Sequence, residues 1–350
     1  MKTKQVLLLF LLVIFQTPCA HAKIKNKTKQ QDFRCKFFDL SRGKKNRKRR
    51  WRRKNRKKPR SSIIQFYSSM DNIGNYLPVL GIQKMLGCTP DTCCIHSRHY
   101  IDFNFINKHY KCAIIGGAGL LDKCFEPFWR QLLNKCKIPI IMWGIGVCLP
   151  DNNKKGVDKE IVSAVAQKCS LINVRDTLTA HYYNLKNASI AACPSIVYLQ
   201  NFYEHKKQKR GILYSFHNQI VSAAEHRAIL KVLRKEFPNL MVTDNIQTKS
   251  CGLDHIIKGC YCTSNLVITT RLHGAIIAYG LGIPYIIIAR DEKLRSFHQR
   301  YNNGFMVESI EELQSVIKNQ PPIDLQPIEY EPVLEFGRQA REWVEEQLKT

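Results

Sequence analysis

The sequence has few acidic residues for its basic content. Asp and Glu number 28 against 55 Lys and Arg, which gives a formal net charge of +27. Much of the excess lies between Lys44 and Arg60, where 13 of 17 residues are Lys or Arg. Because like charges at this density repel one another and cannot pack, residues 23–60 are predicted to form a disordered basic arm.

Two functions fit this basic arm. A dense run of positive charge suits a polyanion such as an anionic lipid or an acidic glycan, and it equally suits a solvated linker. Sequence-specific binding of nucleic acid is not expected, because only Trp51 interrupts the charge and no recognition module follows.

The sequence also lacks a hydrophobic run that would comfortably span a bilayer. Its N-terminal apolar run extends from Val6 to Phe15, whereas a spanning helix needs about 20 residues. Two lysines precede the run and Ala20-His21-Ala22 follows it, which is the layout of a secretory signal peptide over residues 1–22. We therefore expect the chain to enter the secretory route as a lumenal, periplasmic or secreted protein. Four lysines after the run favour the alternative of an uncleaved membrane anchor.

Sequence motifs for zinc and for nucleotide cofactors are missing. The chain has 14 cysteines, but Cys93-Cys94 and Cys260-Tyr261-Cys262 lack the spacing of a zinc site. Structural thiols or disulfides of an oxidising compartment are expected instead. The glycine-rich segments match neither G-x-G-x-x-G nor a P-loop. The sequence therefore predicts no metal and no cofactor.

From residue 61 onward, short apolar runs alternate with helical patterns. The runs are continuous in Val, Ile and Leu, which indicates strands covered on both faces, as in a parallel sheet. Alternation of such strands with helices predicts a doubly wound α/β fold. The predicted strands are 61–67, 112–117, 138–146, 171–174, 189–193, 211–217, 240–243, 266–270 and 285–289.

A polar, basic segment at residues 201–210 interrupts the alternation. We therefore predict an N-terminal Rossmann-like domain at 61–200 and a C-terminal Rossmann-like domain at 201–325. The tail, residues 326–350, has apolar residues at helical spacing and is expected to dock as an amphipathic helix. Two such domains facing each other form a cleft, and α/β folds bind ligands there, at the carboxyl ends of their strands.

Two turns of the first predicted domain are candidates for contact with a ligand. One follows the first strand and can present N–H groups and short polar side chains to a sugar or a phosphate; a simple turn and helix cap fits it equally well. The other ends the second predicted strand, where consecutive glycines let the backbone approach a ligand closely. The candidate residues are Asp71, Asn72, Gly74, Gly116 and Gly117.

Basic residues also follow predicted strands. Arg175 comes directly after the strand at 171–174, and an arginine there suits a carboxylate or a phosphate. Its neighbour Asp176 is interpreted as the cap of the next helix. His217 ends the strand at 211–217 and is a candidate acid or base, although a lone histidine is often structural.

The stretch from Thr269 to Phe297 carries the densest set of candidate residues. Arg271 and His273 occupy the first turn of a helix rich in Ala and Gly, where free N–H groups and the helix dipole favour an anion. Asp291 and Lys293 come after the next strand, and we expect them at the same carboxyl-end edge of the sheet. This combination predicts a phosphate site.

This stretch resembles the polysaccharide pyruvyl transferase family. The resemblance rests on R-L-H-G, the small-residue helix, G-I-P, the apolar strand and D-x-K-x-x-x-F, which here is Asp291, Lys293 and Phe297. It also covers N-I-G-N, G-G-A-G-L-L, G-I-G-V and R-D in order, and so spans residues 62 to 300. Individually these glycine motifs are common, whereas the ordered set is specific.

The resemblance implies a two-domain fold like that of B-type glycosyltransferases. Members of the family transfer pyruvate from phosphoenolpyruvate to a sugar of a glycan, which forms a cyclic ketal and releases phosphate. By similarity, phosphoenolpyruvate would be held by Arg271, the backbone of Leu272 and His273, with Arg175 as a further cation. The chain departs from many relatives at Asn75, where they have Asp, and this affects the expected acceptor specificity.

The chemistry of this reaction requires particular residue types. Cations must neutralise phosphate and carboxylate without acting as nucleophiles, which suits Arg175 and Arg271. A group that titrates near neutrality must move protons, which suits His273 or His217.

Two alternatives stay open at this point. The same fold could serve a glycosyltransferase that uses a sugar nucleotide, although a signature for the nucleobase or the ribose is not evident. The chain could also be an exported, non-catalytic protein that binds a glycan or polyanion through its basic arm. The retained Arg271, His273, Asp291 and Lys293 favour an enzyme over this second alternative.

Overall fold

The computed structural model describes residues 59–96, 101–147, 156–207, 211–319 and 321–349. The predicted signal peptide lies outside these residues, as does the predicted basic arm up to residue 58. All described residues belong to one compact unit. Within it, the described strands form two separate parallel sheets.

The first sheet comprises β1 (Ile63–Tyr67), β2 (Asp91–Cys94), β3 (Cys112–Gly116), β4 (Ile140–Ile145), β5 (Cys169–Val174) and β6 (Ser189–Ile190). Its order is β2-β1-β3-β4-β5-β6, with parallel pairing throughout. On β1, Ile63 and Ile64 pack into two different core clusters. Because side chains alternate between the two faces of a strand, both faces of this sheet are covered, which explains the continuous apolar runs.

Helices connect the strands of the first sheet. They are α1 (Ile73–Leu86), α2 (Phe103–His109), α3 (Glu126–Lys135), α4 (Lys159–Ala166), α5 (Thr177–Tyr182) and α6 (Ser195–Leu199). Several begin where a side-chain oxygen accepts a backbone N–H, as Asn72 does for α1 and Asp158 for α4. A 3₁₀ turn, Lys123–Phe125, precedes α3, and another, Gln200–Lys207, follows α6.

The second sheet comprises β7 (Gly211–Ser215), β8 (Met241–Thr243), β9 (Ser264–Thr269), β10 (Tyr285–Ile288) and β11 (Gly304–Val307). Its order is β11-β10-β9-β7-β8, again parallel. Its helices are α7 (Ala223–Glu236), α8 (Leu253–His255), which continues as a π-helix (Ile256–Tyr261), α9 (Leu272–Gly280), α10 (Glu292–Tyr301) and α11 (Ile310–Asn319). The chain ends in α12 (Glu331–Lys349).

Each sheet has a point where the order of its strands reverses. In the first sheet, β1 has β2 on one side and β3 on the other. In the second sheet, β7 likewise has β8 on one side and β9 on the other. In doubly wound folds, ligands bind at the carboxyl ends of the strands that flank this reversal. The strand orders confirm the predicted class of two doubly wound α/β sheets, whereas the predicted domain boundaries stay a prediction.

Helix α6 packs between α1 of the first sheet and α9 of the second. Glycines permit this close packing on both sides. A Cβ on Gly81 would stand 2.5 Å from the carbonyl carbon of Pro194, and one on Gly280 would stand 2.8 Å from Leu199 Cδ1. Residues of both sheets consequently share one continuous core.

Some elements differ from the sequence prediction. The strand predicted at 189–193 is only two residues long, and α6 follows it after a short turn. Strands β2 and β11 and helix α2 were not predicted. Within the described ranges, no helix is both long enough and apolar enough to cross a membrane. The free thiols described there include Cys88, Cys112, Cys136, Cys169 and Cys193.

Candidate active site

The candidate site begins where α9 follows β9. Arg271 is the cap of α9 in an extended conformation, and its N–H donates to the hydroxyl of Thr269 at 2.9 Å. The helix begins close to β7, because a Cβ on Gly274 would stand 2.8 Å from the hydroxyl oxygen of Ser215. The glycine of the R-L-H-G motif thus allows α9 to start directly on the sheet.

Arg271 is only 5% exposed. Its Nε donates to the carbonyl of Phe216 at 3.4 Å, which orients the guanidinium at the end of β7. Burial lowers the pKa of Arg271 below its usual value. The neighbouring Leu272 is also buried.

His273 lies in the first turn of α9 and is buried. Its Nε2 has no hydrogen-bond partner among the described residues. The pKa of His273 is held well below 6.5, first by burial and then by the positive charges of Arg175, Arg271 and Lys293. These three cations, from different parts of the chain, therefore converge on His273.

Arg175 comes from the first sheet, directly after β5. Its guanidinium fills space beside Gly146, where a Cβ would stand 2.7 Å from Nη2. Its Nε donates to Asp176 at 3.2 Å and Nη2 donates to the carbonyl of Val147 at 3.5 Å. The buried Nη1 has no partner in the part of the chain that the structure describes. Asp176 caps α5 by accepting the N–H of Thr179 at 2.7 Å, which is the role predicted for it.

His217 and Lys293 complete the basic cluster, which we define as Arg175, His217, Arg271, His273 and Lys293. His217 follows β7, and burial together with the charges of Arg271 and Lys293 lowers its pKa to about 3. The backbone N–H of His217 donates to Thr270 Oγ1 at 2.9 Å. The imidazole Nδ1 of His217 accepts the backbone N–H of Gln219 at 3.3 Å.

Asp291 and Lys293 form a buried ion pair at the start of α10. The Nζ of Lys293 lies 3.1 Å from Asp291 Oδ2. Asp291 is also the cap of α10, since its Oδ1 accepts the N–H of Leu294 at 3.0 Å. The pair therefore fixes the ammonium group of Lys293 within the basic cluster.

The turn after β1, which contains Asp71 and Asn72, contacts the segment that follows β8. Asn72 caps α1 through the N–H of Gly74 at 3.0 Å and forms an isolated antiparallel bridge with Ile246. The exposed Asp71 accepts the N–H of Gln247 on its carbonyl at 2.7 Å. This turn therefore joins the two sheets. Gly74, in the first turn of α1, packs against the ring of His273.

Gly116 and Gly117 lie at the end of β3, on the β1–β3 reversal. The space beside Gly116 is taken by Ile82, whose Cδ1 would be 2.6 Å from an added Cβ. Gly117 has φ of 116° and lies beside the carbonyl of Asn75. Gly116 therefore packs against α1, while Gly117 supplies a backbone conformation that other residues rarely adopt.

A narrow crevice adjoins the basic cluster and runs along one face of α10. Five of its lining residues, 293, 296, 297, 300 and 301, follow helical spacing on that face. The sequence did not predict Cys193 and Tyr301 as site residues, because only folding brings them into the crevice that Arg175 also lines. The lining residues are Arg175, Asp176, Cys193, Leu272, Ile276, Lys293, Ser296, Phe297, Arg300 and Tyr301.

The chemistry available in this cluster is that of an anion site with two titratable imidazoles. Two carboxylates, Asp176 and Asp291, pair directly with Arg175 and Lys293. No group of three or more metal-ligating side chains occurs among the described residues.

The sequence of the chain matches a known protein family. A sequence model of the family described as polysaccharide pyruvyl transferase matches residues 29–292, which is more than half of the chain. No curated protein sequence matches it significantly.

Solved structures with low sequence identity are also similar. MnaA of S. aureus, solved with UDP, is 10% identical over 73% of this chain and 87% of that chain, with a TM-score of 0.48. UDP-GlcNAc 2-epimerase of Neisseria meningitidis bound to UDP-GlcNAc is 11% identical over 82% and 99%, with a TM-score of 0.47. A variant of the wall teichoic acid polymerase TagF is 11% identical over 84% and 91%, with a TM-score of 0.46.

Proposed function

Because the chain belongs to the polysaccharide pyruvyl transferase family, we propose that it transfers pyruvate from phosphoenolpyruvate to a sugar of a glycan, forming a cyclic ketal and releasing phosphate. The proposal is carried by the position of Arg175 and Lys293 in one crevice with Leu272, which stands between Arg271 and the buried His273 at the start of α9. Phosphoenolpyruvate has a phosphate and a carboxylate close together, and such a ligand requires several cations at one point.

Arg271 is the main cation for the donor substrate in this proposal. It stands at the N-terminus of α9, where the helix dipole adds to its charge. Arg175 and Lys293 each have a carboxylate at ion-pair distance, whereas none of the described carboxylates lies that close to Arg271. Arg271 is therefore the cation with the least local neutralisation. Leu272 contributes its backbone at the same helix terminus.

His273 and His217 are the proton carriers. Their lowered pKa values keep both imidazoles neutral near pH 7 in the ligand-free site. Phosphoenolpyruvate brings negative charge that opposes the surrounding cations, so its binding raises both pKa values and allows a histidine to take up a proton. A histidine with variable protonation suits general acid–base catalysis.

The reaction balances with these groups. Protonation of the vinyl carbon of phosphoenolpyruvate turns its CH₂ group into a methyl group and makes the central carbon electrophilic. One sugar hydroxyl attacks that carbon and gives up its proton. A second hydroxyl then attacks, its proton is removed, and the C–O bond to phosphate breaks. Arg271 stabilises the charge on the departing phosphate.

The turn at the first sheet is assigned to the acceptor. Asp71 is exposed and Asn72 is half-buried, and both follow β1 at the β1–β3 reversal. Gly116 and Gly117 lie at the same reversal. Asn75 stands at the start of α1, and an amide there favours a sugar hydroxyl over a cationic group. The substrate on this side is a glycan or polysaccharide.

The N-terminal residues suggest where this reaction takes place. Residues 1–22 direct the chain into the secretory route, cleaved or retained as an anchor, and the basic residues 44–60 bind an anionic lipid or acidic glycan near the acceptor. A lumenal site for the enzyme requires phosphoenolpyruvate to be transported from the cytosol.

Phosphate release from phosphoenolpyruvate by the purified chain tests the proposal. The assay is run with and without acceptors that bear galactose or N-acetylmannosamine, and beside the Arg271→Ala variant. The matched control is Arg227→Ala, which removes an exposed arginine of α7. Acceptor-dependent release that disappears in Arg271→Ala but persists in Arg227→Ala is the expected result.

Direct measurement of donor binding separates the remaining outcomes. If phosphoenolpyruvate binds in a way that depends on Arg271 but no phosphate is released, the assignment of the donor stands and the acceptors tested are the wrong ones. Absence of binding, together with binding of a sugar nucleotide, would replace the proposal with a glycosyltransferase.

A further inference from the structure

Tyr301, the last residue of α10, lines the crevice beside the basic cluster. Arg175 and Lys293 of the basic cluster line the same crevice, together with Cys193 and Phe297. The crevice is therefore continuous with the site proposed for phosphoenolpyruvate.

Tyr301 lines this crevice and carries an unpartnered polar atom. The residue is only 6% exposed, and its hydroxyl has no hydrogen-bond partner in the described part of the chain. A buried hydroxyl without a partner destabilises a fold, so its presence calls for an explanation. Burial also raises the pKa of Tyr301 well above 10, so the hydroxyl keeps its proton and can donate it in a hydrogen bond.

The ring of Tyr301 is held in place by other aromatic rings. Its centroid lies 4.6 Å from that of Tyr279 and 4.8 Å from that of Phe297. A ring packed in this way cannot readily turn its hydroxyl toward solvent. The hydroxyl is thus a donor in a fixed position, as ligand-binding groups must be.

Arg175, which lines the same crevice, has a second unpartnered donor. Its Nη1 is buried without a partner among the described residues, while Nε and Nη2 are used by Asp176 and Val147. A guanidinium N–H and a phenol O–H on two residues that line one narrow space suit a small anionic acceptor. An oxygen of a carboxylate accepts from both kinds of donor.

The size of the crevice excludes larger groups. Its free volume is about 10 Å³, close to the smallest cavity that holds one water molecule. A carboxylate oxygen fits such a space, whereas a sugar ring does not. The acceptor glycan must therefore lie elsewhere.

We propose that the hydroxyl of Tyr301, together with Arg175, binds the carboxylate of the donor substrate and leaves its phosphate to Arg271 and His273. The inference rests on the proposed function, since it assumes phosphoenolpyruvate as donor. It assigns a specificity role to Tyr301: the hydroxyl distinguishes an enol phosphate that has a carboxylate from one that lacks it.

The test compares two ligands and three proteins. The ligands are phosphoenolpyruvate and isopropenyl phosphate, which has a methyl group in place of the carboxylate. The proteins are the unchanged full chain, Tyr301→Phe and Tyr279→Phe. Tyr279 is the matched control, because it belongs to the same aromatic group and its hydroxyl already accepts the N–H of Glu329 at 2.8 Å.

Calorimetric dissociation constants decide the proposal. Tyr301→Phe should bind phosphoenolpyruvate about tenfold more weakly, in line with the loss of one hydrogen bond to a charged group, and should bind isopropenyl phosphate as the unchanged chain does. Tyr279→Phe should bind both ligands unchanged. Equal weakening for both ligands in Tyr301→Phe, or no weakening for either, would overturn the inference and leave the proposed function standing.

Thermal unfolding supplies a second readout. Because the Tyr301 hydroxyl is unpartnered, Tyr301→Phe should keep or raise the Tm, whereas Tyr279→Phe loses a hydrogen bond and should lower it. A lowered Tm in Tyr301→Phe would indicate a structural role and count against the proposal. If the unchanged chain binds no phosphoenolpyruvate, the proposed function fails and this inference fails with it.

Discussion

Gly74 lies directly against the imidazole of His273. A Cβ on residue 74 would stand 2.6 Å from His273 Nδ1, closer than real Cβ atoms approach other atoms. Gly74 is in the first turn of α1 and His273 is in the first turn of α9. This contact therefore ties the helix that follows β1 of the first sheet to the helix that follows β9 of the second.

Replacing Gly74 by Ala should displace the imidazole of His273. We expect kcat to fall by about 100-fold, since a shift of about 1 Å in a catalytic group has an effect of this size. The control is Gly259→Ala, where the nearest atom is 3.7 Å from the added Cβ and activity should be kept. Steady-state kinetics of both variants, with circular dichroism to verify folding, provide the measurement. Unchanged turnover in Gly74→Ala would show that His273 does not need this contact.

The guanidinium of Arg271 should not be replaceable by an ammonium group. Arg271→Lys keeps the positive charge but loses the planar set of donors, one of which is fixed on the carbonyl of Phe216. We expect kcat to fall about 100- to 1,000-fold in both Arg271→Lys and Arg271→Ala, the cost of removing a preorganised charge stabiliser. Phosphate release under saturating substrate is the measurement. Near-normal turnover of Arg271→Lys would indicate that charge alone suffices.

The sequence predicts the strands well where both of their faces are buried. β1, β3, β4 and β9 appear as continuous apolar runs because side chains on both faces enter core clusters. The strand β2, at the edge of its sheet, was missed because its four residues, D-T-C-C, form no apolar run. Helix α6 was missed for a different reason: five residues are too few to show helical periodicity.

The candidate site was predictable to the extent that it depends on strand ends. Arg175, His217 and Arg271 each follow a strand, and parallel strands bring their carboxyl ends to one edge of a sheet. The role of Gly146, which makes space for the guanidinium of Arg175, depends on distances that sequence does not give. Tyr301 reaches the same crevice only because α10 and the first sheet meet in the folded chain.

The C-terminal helix α12 should contribute strongly to stability. Phe336 is buried, and its ring centroid lies 5.3 Å from that of Trp143 in the first sheet. We expect Phe336→Ala to lower the free energy of unfolding by about 3–5 kcal/mol, as for other buried phenylalanines. Leu334→Ala on the same helix is the control, since Leu334 is 42% exposed and should change stability by at most about 0.5 kcal/mol. Equal effects of the two changes in urea titrations would mean that α12 is not docked in solution.

The basic cluster should make stability depend on pH below neutrality. His217 has a pKa of about 3 in the folded chain, and that of His273 is also well below 6.5. When the folded pKa lies below the unfolded pKa, the unfolded chain binds protons first. The stabilisation is therefore complete above about pH 6.5 and is lost as the pH falls toward the folded pKa values.

Chemical denaturation between pH 7.5 and pH 4.5 measures this dependence. His217→Gln should reduce the slope by up to about 1.4 kcal/mol per pH unit below pH 6.5, the linkage of one proton. His255→Gln, which removes an exposed imidazole of α8, is the control. Saturating phosphoenolpyruvate should also flatten the slope, because its negative charge raises the histidine pKa values in the folded chain and lets it bind the same protons as the unfolded chain. A slope that neither His217→Gln nor phosphoenolpyruvate changes would place the acid sensitivity outside the basic cluster.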